Sequence, residues 1–157
     1  MRKSVRVAVV VGALVAAAGG AIIAEAQTGA AQAVAARKDA MRAQGRAVAS
    51  LQPILRNEQP WNQQAAVAAM TTLQQTSAQI PALFPEGSGP QAGIETRALP
   101  AIWQNRQAFE AAATGLNTAA GQLLQLAQAN QEAAFRAAFP TIGQACGTCH
   151  TPFRAPQ

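Results

Sequence analysis

The sequence predicts an all-α protein, a bundle of four antiparallel helices. Three observations carry the prediction. Beyond residue 26 the chain is rich in Ala, Gln and Leu, which are good helix formers, and it has no Tyr. It lacks the alternating β-branched runs that mark strands. Its apolar residues recur at seven-residue spacing in stretches separated by Pro and Gly, which is how a helix lays one stripe against its neighbours.

The first helix is expected from about Gly29 to Gln52, with Val34, Met41, Val48 and Leu55 on one stripe and Leu51 widening it. Pro53, which has no N–H to donate, is expected to end regular helix there. The second opens in "NEQPWN", where Pro60 suits a first turn. It runs through Val67, Met70, Leu73 and Ser77 to Ile80. The segment "PALFPEGSGPQAG" then reads as the longest loop. The third helix opens near Leu99-Pro100 and places Ile102, Phe109, Leu116 and Leu123 at heptad spacing before ending near Asn130. Asn130 can also cap the fourth, whose apolar residues are Phe135, Phe139, Ile142, Cys146, Cys149 and Phe153. Pro140 lies inside that pattern and is expected to kink it. Bundles of this kind house cofactors between facing helices.

Residues 1–26 read as a cleaved signal peptide. Arg2, Lys3 and Arg6 precede an apolar run, and Ala24-Glu25-Ala26 fits a small-x-small cleavage pattern, which leaves a mature domain over 27–157. Cleavage lowers the formal charge from +5 to +3, because three of the 12 basic and one of the seven acidic residues leave with the leader (9 − 6). The apolar run is short for a span of about 20 residues, and no later segment is apolar enough, so no stable membrane insertion is expected after cleavage. The mature chain has no basic run interleaved with aromatics, which excludes nucleic acid as a partner. No carboxylate pair, Ser/His/Asp set or phosphate loop supports hydrolytic or phosphoryl-transfer chemistry, so an enzyme is not expected.

The two cysteines and the one histidine of the chain all fall in Cys146-Gly147-Thr148-Cys149-His150. A disulfide across three residues closes too small a loop to stabilise a fold. A thioredoxin-like site needs its Cys pair at the opening of a helix after a strand, and structural zinc needs four ligands. On a helix, residues three and four apart are neighbours. Two thiols can then add across the vinyl groups of a protoporphyrin, with the adjacent imidazole below the ring. C-x-x-C-H is the attachment signature for c-type haem, and His is a common proximal ligand.

With "ARKDAMRAQG" early, "ALPAIWQNRQAFEAAA" in the third helix and "AAFPTIGQACGTCHTPFR" at the end, the mature chain resembles the cytochromes c′ and their low-spin relatives of the c556 type. The resemblance implies an up-down-up-down four-helix bundle, often dimeric and typically periplasmic, with haem c near the C-terminal helix. It implies His150 as proximal iron ligand and Cys146 and Cys149 as the covalent haem thioethers. Arg37, four residues before Met41 on nearly the same face, would meet a haem propionate, which answers the cost of burying a charge. Arg154 matches a basic residue on the proximal face. Phe153 stands where Tyr is frequent, so a phenolic hydrogen bond is absent, and "IPALF" lacks a Trp found in some members. Trp103 reads as a core aromatic.

Met41 separates two functions. As a distal iron ligand it makes a six-coordinate, one-electron carrier working with redox partner proteins. As an uncoordinated gate it leaves an open iron that binds nitric oxide or carbon monoxide, and from periodicity alone it is an apolar core filler. A third reading, an interaction module or disulfide enzyme without haem, requires both thiols to be free.

Overall fold

The computed structural model describes the backbone of residues 11–156 and the side chains of 27–156. Helix α1 spans Val11–Leu55 and α2 Gln63–Gln79; two short 3₁₀ turns follow at Ile80–Leu83 and Pro90–Ala92. Then come α3 (Ala101–Gln104), α4 (Arg106–Gln128), α5 (Glu132–Ala138) and α6 (Pro140–Phe153). The pairs α3–α4 and α5–α6 each act as one broken helix, so the architecture is the expected four-helix bundle. The expected cleaved leader, 1–26, lies outside the residues whose side chains are described. No helix among the described residues is long and apolar enough to cross a membrane.

Each helix boundary has a local cause. Pro53 lies inside α1 rather than at its end. Its carbonyl accepts from the Glu58 and Gln59 amides at 2.8 and 3.2 Å, and Asn57 turns left-handed at φ 60°, so the helix closes just beyond the proline. Helix α2 starts later than expected, where the Asn62 side chain accepts from the Ala65 amide at 2.9 Å. Pro60 lies before that cap. The third helix breaks at Asn105 (φ −130°, ψ 60°), whose side chain caps the longer α4. Asn130 is not a cap for the fourth helix. It sits at φ 54°, ending α4 in the left-handed region, and its Oδ1 accepts from Trp61 Nε1 at 2.7 Å. Pro140 takes the first position of α6, so the expected kink becomes a restart.

The core lies where α2 meets α1 and α4, and where α4 meets α5 and α6. Leu51, Met70, Leu73, Ile102, Phe109, Leu123, Phe135 and Ile142 are all essentially sealed from solvent. Trp61 and Phe139 flank Phe135 at 5.2 and 5.9 Å. On α1 the buried stripe is Val34, Arg37, Ala40, Gln44, Ala47, Leu51 and Ile54. Met41, Val48 and Leu55 form its half-buried edge. The true stripe contains an arginine and a glutamine, which apolar periodicity does not register. Gln44 meets Thr76 across α1–α2 at 3.0 Å.

Candidate haem site

One cavity of about 280 Å³ opens between α1, the segment before α3, α4 and α6. Its walls are largely apolar: Met41, Phe84, Ala98, Ile102, Phe109 and Phe153. Cys149 and His150 line it from α6, and Arg37, Lys38, Arg42, Arg97 and Arg154 surround it with positive charge. Five of the twelve basic residues of the chain therefore converge on one cavity.

The aromatic wall is built by packing across elements. Phe109 stands edge-on to Phe84 (4.8 Å) and to Phe153 (5.4 Å). The Phe84 loop is held by main-chain carbonyls that accept from two side chains. Arg106 donates to Pro81 and Phe84 at 2.6 and 2.8 Å, and the Trp103 indole donates to Pro85 at 3.0 Å. Trp103 is half-buried at this loop and tilted against Phe84 at 6.2 Å, a clamp on the cavity wall as well as a core aromatic.

Arg37 is only 4% exposed. Its Nη2 donates to the Ser88 hydroxyl (2.6 Å) and carbonyl (3.1 Å), and its guanidinium lies 4.2 Å over the Phe84 ring. Ser88, fully buried, donates a hydrogen bond from its own hydroxyl to the Pro85 carbonyl at 2.7 Å. Nε and Nη1 of Arg37 have no partner. Burial lowers this guanidinium to about 10, which still leaves it charged at neutral pH. A buried cation with two unanswered donors at an apolar cavity is a site for an anionic group.

On α6 the two sulfurs do not form a disulfide, and both are half-buried. Burial raises both thiols, Cys149 further because of Cys146, so they are held as neutral S–H groups. That is the opposite of a redox-active pair, whose thiol is depressed. Cys149 lines the cavity, whereas Cys146, one turn earlier, packs against the core beside it. Burial, then Arg154, then Arg97 lower the His150 imidazole, favouring the neutral ring that can bind a metal. Among the described residues no group of three or more His, Cys, Asp or Glu is arranged to hold a metal ion.

The cavity therefore suits a flat apolar group with carboxylate arms, met by Cys149 and a neutral His150 imidazole, with Cys146 packed beside it on the same helix. Of the residues singled out from the sequence, Arg37, Met41, Cys149, His150 and Arg154 meet here. Sequence reasoning missed Ser88, in a glycine-rich loop, and Arg97, a lone cation in "ETRALP", because neither carries a local motif.

A helical bundle with a C-x-x-C-H helix against an apolar, cation-rimmed cavity defines a haem-binding bundle of the c-type cytochromes. Comparison with known proteins narrows the class. Residues 32–154 match the family described as Cytochrome C′. Cytochrome c-556 of Agrobacterium tumefaciens (strain B2A) is 37% identical over 120 residues, 75% of this chain and 93% of that protein. Cytochrome c′ of Pararhodospirillum photometricum is 33% identical over 120 residues, 75% of this chain and 92% of that protein. In fold, a cytochrome c prime variant from Alcaligenes xylosoxidans, solved as its nitric oxide complex, superposes with a TM-score of 0.72 at 24% identity, over 80% of this chain and 95% of that one. The chain belongs to the cytochrome c′ family. Its cofactor is covalently attached haem c with its iron, and the family comprises electron carriers and ligand-binding haem proteins, not enzymes.

Proposed function

We propose that this chain is a periplasmic one-electron carrier in which Cys146 and Cys149 hold the porphyrin as thioethers and His150 is the proximal iron ligand. Bound there, haem iron supplies the ferric–ferrous couple. The observation that carries the reading is that Met41 from α1 and His150 from α6 line the same apolar cavity, beside two unanswered donors of Arg37. Met41 serves as the distal ligand, and a His/Met pair raises the potential relative to weaker ligands. Arg37 binds one haem propionate and Arg154 lies on the proximal face. The apolar walls exclude water from the ring, which limits reorganisation when an electron moves to or from a redox partner protein.

Export through cleavage after Ala26 places the protein in the periplasm, where members of this family reside. A homodimer is part of the proposal: an open groove between α1 and α2, floored by alanines such as Ala43, Ala65 and Ala68 and edged by Arg46, Ser50 and Thr72, lets the helices of a second copy approach closely.

A second reading is supported by the nitric oxide complex of the Alcaligenes protein. In it Met41 stays off the iron and gates a five-coordinate site for nitric oxide or carbon monoxide. The ferrous absorption spectrum separates the two. The carrier gives sharp, split low-spin bands unaffected by carbon monoxide, and Met41→Ala converts them to a broad, carbon monoxide-sensitive spectrum. A native spectrum that already responds to carbon monoxide and is unchanged by Met41→Ala overturns Met41 ligation.

A further inference from the structure

The last turn of α6 keeps the bond from the Arg154 amide to the His150 carbonyl at 3.1 Å but lacks another of its helical bonds. Pro152 sits in the last turn and has no N–H to give to the preceding turn. The chain leaves the helix at Arg154 in an extended conformation (φ −129°, ψ 130°). Bonds from the segment before α3 make up for this. The Leu99 amide donates to the Phe153 carbonyl at 3.0 Å and the Ala155 amide to the Arg97 carbonyl at 2.8 Å, an antiparallel bridge between Ala98 and Arg154. The Arg97 side chain then doubles back on the same strap, donating through Nε (3.1 Å) and Nη2 to the Ala155 carbonyl. Arg97 and His150 line one cavity.

We propose that Arg97 is a positioning residue for the haem turn. Its forked hydrogen bond to the Ala155 carbonyl clamps the last turn of α6 while fixing a positive charge on the His150 side of the cavity. The proposal rests on the reading that His150 binds the iron. Two separable effects follow. The fork needs the planar guanidinium, which an ammonium cannot reproduce. The charge favours the ferrous over the ferric state by ordinary electrostatics, and only a charge held near the iron does so strongly.

The test uses the haem-loaded protein and its Arg97→Gln and Arg97→Lys variants, with Arg56→Gln, exposed just beyond the end of α1 and away from the cavity, as a charge control. Midpoint potentials are read by titration with dithionite and mediator dyes, and amide exchange at Leu99 and Ala155 by NMR. Arg97→Gln should lower the ferrous:ferric ratio at fixed potential about three- to tenfold, tenfold being about 59 mV for one electron, and speed exchange at both amides at least about tenfold. Arg97→Lys should retain most of the potential but not the protection. Arg56→Gln should change neither. An Arg97→Gln protein with native potential and native protection overturns the proposal, as does an equal potential loss in Arg56→Gln. A His150→Ala protein with an unchanged haem spectrum would instead sink the ligand assignment itself, whatever Arg97 does.

Discussion

Arg37 allows the haem pocket to be tested through energetics. Burial lowers its guanidinium by about 2.5 pKa units to about 10. At about 1.4 kcal/mol per unit, holding that charge in the pocket costs about 3–4 kcal/mol. In the cofactor-free chain the cost is offset only by the charged hydrogen bonds to Ser88, worth about 1.5–3 kcal/mol, and by stacking on Phe84, worth up to about 2 kcal/mol. These terms nearly cancel. Arg37→Met should therefore change the stability of a cofactor-free Cys146→Ser/Cys149→Ser chain by less than about 1 kcal/mol. In the haem-loaded protein the same change should strand the propionate proposed to meet Arg37, an expected loss of about 3–5 kcal/mol. Urea unfolding of the four proteins measures both differences. Equal losses with and without haem would refute the idea that Nε and Nη1 await a propionate.

Other outcomes follow from the same geometry. Phe135, sealed between Trp61 and Phe139, should cost about 3–5 kcal/mol when changed to Ala, read as a lower urea midpoint with the haem spectrum retained. His150 has a folded pKa depressed below 6.5, so its contribution is present above pH 6.5 and lost as pH falls through the folded value. The cofactor-free Cys146→Ser/Cys149→Ser chain should thus lose stability as the pH falls below about 6.5, and adding His150→Ala should flatten that loss.

The bundle was legible because its core obeys simple spacing. Ile102, Phe109, Leu116 and Leu123 recur by sevens and are all buried. The haem cofactor was legible because the attachment chemistry proposed for it asks for Cys, Cys and His within one helical turn. The phase of α1 was not, since its inner stripe runs through Arg37 and Gln44, which are tolerated inside only because Ser88 and Thr76 answer them from distant elements. Asn130 misled because Asn serves both as a helix cap and as a left-handed stop, and the Trp61 bond that accompanies the second role spans 69 residues. Arg97 was invisible for a related reason: its partner is a backbone carbonyl 58 residues away, and any residue supplies one.

Mass spectrometry of the protein secreted from a host able to mature c-type cytochromes tests the central claim most directly. The peptide carrying Cys146 and Cys149 should bear one haem, lost from both positions only when both cysteines are replaced. Mature protein recovered as bare polypeptide from such a host would contradict the account.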